Sequence, residues 1–222
     1  MFRPTLTGFD IRISDLPEAL MRIISGTSRG RRLLTPWCQS IRPTSDRVKE
    51  SIFNILGEEV EGKVVLDLFA GTGNLGIEAL SRGANRAIFV EKGRQALRLI
   101  QKNLLHCGME ERSEILPKDA HRAIGILRQR RESFDLILMD PPYEKGLIQK
   151  TLMKLKSERI YHEDSVLIIE HGRREPLPDV IWGWNLMHQR RIGDTVISFL
   201  KPRLSADRQE RMDKGGITCL IG

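Results

Sequence analysis

Asp140-Pro141-Pro142-Tyr143 sets a carboxylate, a stiff backbone and an aromatic ring side by side. The residues before it, Phe134 to Met139, read as a strand covered on both faces, and a strand cannot continue through two prolines. The chain must turn out of the sheet at Asp140, at the carboxyl end of the strand, where open α/β sheets hold their ligands. A planar substrate with an exocyclic amine suits that place. The Tyr143 ring can stack on it, while Asp140 and the Pro141 carbonyl accept the amine hydrogens. Taken alone, the four residues fit a turn with an N-capping Asp equally well.

A second group lies upstream, in Asp67-Leu68-Phe69-Ala70-Gly71-Thr72-Gly73-Asn74-Leu75-Gly76. Its glycines let the backbone bend sharply and admit a ligand against bare amides. Gly71, Gly73 and Gly76 satisfy G-x-G-x-x-G, and Glu91 follows at the distance of a ribose-binding acid, which taken at face value is a dinucleotide fingerprint. Asp67 argues otherwise. An anion four residues before Gly71 repels a pyrophosphate but favours a sulfonium or an ammonium. Glu78, early in the following helix, points the same way, and Asp140 to Tyr143 has no role in hydride transfer. Glu91 suits either ligand, since its oxygens can take both ribose hydroxyls. Asp119-Ala120 falls where an adenine amine could be read, and Asp119 could also cap a helix.

The elements that position these groups alternate along the chain. Strands are expected at Val64–Phe69, Ala87–Glu91, Glu114–Pro117, Phe134–Met139 and Val166–Glu170. Helices are expected at Gly76–Arg82, Arg94–Cys107, Ala120–Arg128 and Lys150–Ser157. Alternation with short loops implies a parallel sheet wound on both faces. Leu186–Ile192 and Thr195–Leu200 flank Gly193-Asp194, a pair suited to a tight hairpin. Upstream, Met21–Ile24 and Arg32–Leu34 could pair across Gly26–Gly30. A helix follows, entered through Thr44 or Ser45, with Val48, Ile52, Ile55 and Leu56 at helical spacing and Gly57 or Gly62 at its end. Residues 1–20 and 203–222 read as extensions outside the core, 21–62 as a basic hairpin and helix, and 63–202 as the main domain.

With 222 residues, 40% of them apolar, the chain can bury one substantial core. No apolar run approaches bilayer length, and the first twenty residues lack a secretory apolar block. Cys38, Cys107 and Cys219 are scattered, which implies reduced thiols, a cytoplasmic setting and no structural metal. The net charge of +7 implies a polyanionic partner. Arg29, Arg31, Arg32, Arg42 and Arg47 are the candidates for nucleic-acid phosphate contacts, Arg47 with the alternative of a structural ion pair. Nothing demands a second copy, so a monomer is expected.

Five parallel strands followed by an antiparallel hairpin resemble the Rossmann-like fold of the Class I S-adenosylmethionine-dependent methyltransferases. More narrowly, the chain resembles the bacterial 16S rRNA guanine-N2 methyltransferase family (RsmD-like). The resemblance rests on Met21–Gly26, Arg29-Gly30-Arg31, Arg42–Leu56, Asp67–Gly73, Gly76–Ala84, Glu91, Asn103-Leu104, Asp140–Tyr143 and Gly193-Asp194-Thr195. It implies a mostly parallel seven-stranded sheet, S-adenosyl-L-methionine as cofactor, and one guanine of the small ribosomal subunit as substrate, whether in free 16S rRNA or an assembling particle. It implies cofactor contacts at Asp67, Phe69, Gly71, Gly73, Glu91, Asp119 and Ala120. Asp140, Pro141 and Tyr143 would form the catalytic trap, with Asp140 an acceptor first and a base second. Asn74 departs from the small residue expected there, and residues 1–20 precede the family's usual start. The same trap accepts adenine N6 in DNA or RNA, or more distantly a protein glutamine. A non-catalytic RNA-binding assembly factor and an NAD-dependent oxidoreductase are the rivals from other classes.

Overall fold

The structure is a computed structural model that describes residues 21–35, 46–142, 146–177 and 181–203. Seven strands form one sheet: β1 (Val64–Asp67), β2 (Arg86–Val90), β3 (Ser113–Leu116), β4 (Phe134–Met139), β5 (Tyr161–Gly172), β6 (Trp184–Ile192) and β7 (Thr195–Pro202). Their order is β3-β2-β1-β4-β5-β7-β6, with β1 to β5 parallel and β7 antiparallel to both its neighbours. This is the Rossmann-like arrangement expected. The chain winds outward from β1 to β3, then returns to place β4 on the other side of β1. The strand order therefore reverses between β1 and β4, which opens a crevice at their carboxyl ends.

Helices α1 (Asp46–Leu56), α2 (Asn74–Ser81), α3 (Arg94–Cys107), α4 (Ala120–Gln129) and α5 (Leu147–Glu158) cover the sheet. In α3, the apolar stripe Ala96, Ile100, Leu104 and Cys107 faces inward. The helix stops at Gly108, whose positive φ of 66° lets the Met109 amide return to the Leu104 carbonyl. One core lies under α1, α2 and α3, and the other under α4 and α5. The hairpin ends as expected, with a positive φ at Gly193 and none at Asp194.

Several boundaries moved for local reasons. β1 stops at Asp67, two residues before the expected Phe69, because Leu68 and Phe69 already turn into the glycine loop. Leu68 donates to the Leu138 carbonyl and Ala70 to the Val90 carbonyl. Helix α5 starts three residues early, after Gly146 at φ 59°. Strand β5 outgrows Val166–Glu170 because β7 pairs with it as far as Gly172. The expected caps Thr44 and Ser45, and the extensions 1–20 and 204–222, lie outside the described residues.

The amino-terminal segment is built into the first core. Met21, Ile23 and Leu33 are buried in it beside Val48, Ile52 and Phe53 of α1. Arg22 bridges Arg32, as the sequence pairing implied. What clasps this segment to the sheet is Glu78 of α2, fully buried. It accepts from the amides of Ile24 (2.8 Å) and Ser25 (3.0 Å) and from Arg82 Nε (2.8 Å). Lys49 Nζ, also fully buried, stands 3.6 Å from Glu78 Oε2 and donates to the Arg22 carbonyl and to Asn74 Oδ1. The Arg82 guanidinium lies over the Phe53 ring, 4.9 Å from its centre. Gly26 comes so close to α2 that a Cβ there would stand 1.8 Å from the Ser81 carbonyl oxygen. Its lack of a side chain serves this packing as well as the turn the sequence implied.

Breaking a buried pair from one side leaves an uncompensated charge. Glu78→Gln and Lys49→Met should each destabilise the protein by about 3–5 kcal/mol, and the double variant by clearly less than the sum. Urea denaturation of the four proteins measures this; strict additivity would contradict the coupling.

Candidate active site

The crevice between β1 and β4 opens into a cleft of about 810 Å³. Its acids stand at or near the strand tips. Asp67 closes β1, Glu91 follows β2, Lys118 and Asp119 follow β3, and Asp140 follows β4. Phe69, Ala70, Gly71 and Thr72 of the loop after β1 complete one wall, and Pro141 and Pro142 the other. The loop is held to β4 and β2 through the Leu68 and Ala70 amides, and Asn103 Nδ2 donates to the Thr72 carbonyl (2.9 Å). It is a rigid shelf.

Asp67 is 1% exposed and accepts from the Gly76 amide (3.1 Å) at the start of α2. Loss of solvation pushes its carboxyl up to about 7, the Gly76 bond opposes this, and the nearby charges of Asp140 and Glu91 push it further. Asp140 and Glu91 thus stand close enough to Asp67 in the cleft to disfavour its charge. Glu91 is oriented by three amides: Gly71 to Oε2 (3.0 Å), and Lys92 (2.8 Å) and Gly93 (2.7 Å) to Oε1. Oε1 already accepts two bonds, so Oε2 is the oxygen with room for a ligand hydroxyl. That narrows the bidentate ribose contact expected from sequence.

Asp119 both caps and lines. Its Oδ1 accepts from the Arg122 amide (3.0 Å) at the start of α4, a bond that holds its carboxyl below the ordinary value, and Asp119 and Ala120 face the cleft. Gly71 has open space where a Cβ would stand, whereas Gly76 is pressed against Phe89, a Cβ there lying 2.3 Å from the ring. Gly73 begins α2 at φ 84°. Glu78 does not line the cleft; its partners are Lys49, Arg82 and the hairpin, so its place in the argument against a pyrophosphate falls away. Asn74, the departure noted in the sequence, is the acceptor for Lys49.

Arg29, Arg31 and Arg32 are exposed on the amino-terminal hairpin, and Arg47 is exposed on the first turn of α1. Arg31 donates to the His106 carbonyl at the end of α3 (2.6 Å). The hairpin reaches the cleft through Met21, which lines it. Tyr143 and Arg42 lie outside the described residues. Sequence reasoning missed Lys49, Asn103 and Glu170. Lys49 shares its helical face with Ile52, Phe53 and Leu56, a spacing that marked it for burial. Glu170 ends the apolar run Val166–Ile169 just as Asp67 and Asp140 end theirs, and it too lines the cleft. Among the described residues no group of acids, histidines or cysteines is arranged to hold a metal ion. No helix among them is long and apolar enough to cross a membrane.

The donor set fits S-adenosylmethionine. The cleft lies within the usual size of a small-molecule site, Asp67 and its neighbours match a sulfonium and an ammonium, and Glu91 Oε2 can meet a ribose hydroxyl. A cationic ligand stabilises ionised Asp67, so its affinity should rise with pH up to about 7 and level off above. In the free protein the raised value works in the opposite sense. Asp67 contributes stability below its ordinary value near 3.8, and that stability is lost as pH rises through about 7. Asp67→Asn should therefore weaken and flatten the pH dependence of the thermal shift produced by S-adenosylmethionine, and should raise the melting temperature of the free protein at pH 8. A variant with an unaltered pH profile would remove Asp67 from the site.

A family model described as Conserved hypothetical protein 95 matches residues 21–201. The chain is 37% identical to the Bacillus subtilis (strain 168) protein YlbH over 82% of its own length and 100% of that protein's. It is 33% identical to ribosomal RNA small subunit methyltransferase D of Escherichia coli (strain K12), covering 79% of this chain and 86% of that one. Among solved structures, the Escherichia coli protein yhhF superposes with a TM-score of 0.73 at 30% identity, covering 82% of this chain and 98% of that one. The matched range takes in every residue that lines the cleft, from Met21 to Glu170, and the chain belongs to the Conserved hypothetical protein 95 family, the family of ribosomal RNA small subunit methyltransferase D.

Proposed function

We propose that the protein methylates the exocyclic N2 amine of one guanine in the 16S rRNA of the small ribosomal subunit, with S-adenosylmethionine as donor. The observation that carries this reading is Asp140-Pro141 at the tip of β4, directly across the strand-order reversal from Asp67 and the cofactor loop. The bound cofactor supplies a methyl group on a positively charged sulfur. Asp67 faces that charge or the cofactor's ammonium, Glu91 takes a ribose hydroxyl, and Asp119 with Ala120 meets the adenine edge.

The guanine amine is a weak nucleophile because its lone pair is shared with the ring. Catalysis then rests on orientation and on acceptors that favour a pyramidal nitrogen. Asp140 and the Pro141 carbonyl accept the two amine hydrogens and aim the lone pair at the methyl carbon. Transfer would make the N–C bond at the expense of the cofactor's C–S bond, whose electron pair would stay with sulfur. The surplus proton leaves the nitrogen for Asp140 or for solvent. Tyr143 would stack on the base, a contact worth about 1–3 kcal/mol, against the few kcal/mol of unstacking it. Arg29, Arg31 and Arg32 would hold the RNA backbone beside the cleft.

Labelled S-adenosylmethionine and small-subunit particles that lack the modification test the reaction. Label should appear as N2-methylguanosine at one site, and Asp140→Ala should lower the rate on the order of 100-fold while keeping the thermal shift with cofactor. Label on adenine would overturn the substrate assignment. Replacing Arg29, Arg31 and Arg32 together by Ala should reduce the slope of log affinity against log salt by about two to three. Cofactor affinity should stay unchanged. An unaltered slope would take the hairpin out of the RNA interface.

A further inference from the structure

Glu170 is 5% exposed and lines the cleft, yet neither the cofactor contacts nor the amine trap uses it. The register fixes its place. Asp67 pairs with Phe89 and with Leu138, and Leu138 pairs with Ile168, so these four residues make one row across β2, β1, β4 and β5. Two residues further along the parallel strands come Glu91, Phe69, Asp140 and Glu170. Met139 pairs with Ile169, which puts Glu170 one step beyond that pair and beside Asp140, about 4.8 Å away across the sheet at backbone level. Period two keeps Glu170 on the same face as Ile168, and at the strand's end it lines the cleft. Asp140 thus stands between two acids: Asp67 on the cofactor side and Glu170 on the far side.

We infer that Glu170 reads the base, accepting the N1–H of guanine beside the amine held by Asp140, and so selects guanine over purines without that hydrogen. The inference rests on the guanine reading above and deepens it. Guanine presents N1–H and the N2 amine as adjacent donors on one edge. With the amine committed to Asp140 and Pro141, the N1–H needs its own acceptor on the side away from the cofactor, where the sheet places Glu170. Adenine and 2,6-diaminopurine carry a lone pair at N1, which a carboxylate repels. A site built to bond a substrate hydrogen rejects analogues that lack it far more strongly than a merely close-fitting pocket does. The carboxylate thereby separates guanine-N2 from adenine-N6 chemistry in a trap that accepts either amine.

The test uses small-subunit particles reconstituted with guanine or with 2,6-diaminopurine at the target position; both offer the same 2-amino group. The wild-type protein should prefer guanine by about tenfold or more in kcat/KM. Glu170→Gln, whose amide can donate to N1, should narrow that ratio by about tenfold or reverse it. Its thermal shift with S-adenosylmethionine should be kept, which separates base reading from a folding defect. Glu170→Asp should retain the preference at reduced kcat/KM. Equal use of both bases by the wild-type protein, or an unchanged ratio in a folded Glu170→Gln variant, overturns this inference alone. Failure of the wild-type protein to methylate guanine at all overturns the guanine reading and this inference with it.

Discussion

Glu78 is a carboxylate with no water to solvate it, and the protein is arranged to satisfy it. A buried charge is tolerated only when paired and hydrogen-bonded, so two backbone amides from the hairpin, Lys49 from α1 and Arg82 from its own helix converge on it. Those four partners come from three separate parts of the chain. Satisfying one carboxylate therefore fixes the hairpin, α1 and α2 relative to one another. Lys49 then passes the constraint to Asn74 at the start of α2, and so to the glycine loop that precedes it. Burial holds the Lys49 ammonium below its ordinary value even with Glu78 and Asp46 nearby.

The cleft follows from the opposite use of charge. Asp67, Asp140 and Glu91 face one another across the strand tips, where each raises the cost of ionising Asp67. Such an arrangement is unfavourable in the empty protein and becomes favourable when a cation enters, so the site holds electrostatic free energy in reserve for its ligand. Parallel strands make the row possible, because each delivers its last residue to the same edge of the sheet. The strand-order reversal between β1 and β4 then divides that row, with Asp67 and Glu91 on one side and Asp140 on the other. The basic hairpin is part of the same packing. Its inner residues Met21, Ile23 and Leu33 complete the core, while Arg29, Arg31 and Arg32 remain exposed.

The elements that carry the site were legible wherever burial produces a periodic signal. The strand Phe134–Met139 and the helix Arg94–Cys107 match their expected bounds, since each is a regular apolar pattern ended by a residue that cannot continue it. The loop glycines and the acids at strand tips were legible for the same reason: only a turn or a ligand accounts for such residues at the end of a buried run. Glu78 shows where the reasoning stopped. Its charge was read as facing a ligand, whereas its partners Lys49, Ile24 and Ser25 lie 29, 54 and 53 residues away in sequence. Gly26 is similar, because its close neighbour, the Ser81 carbonyl, sits on another element.

The sequence alone determined the order and kind of the elements, the turn out of β4 at Asp140, the glycine shelf after β1 and the excess of positive charge near the amino terminus. These are properties of neighbours along the chain, and local sterics and hydrophobic periodicity are enough to set them. Tertiary structure alone decided which charges face inward to one another and which face the cleft. It spent Glu78 and Lys49 on holding the hairpin, left Glu91 with one oxygen to offer, and brought Glu170 beside Asp140. Those outcomes depend on strand register and on the geometry of contacts between distant segments, and charge interactions at such contacts fall off too steeply with distance and solvation to be read from residue type alone.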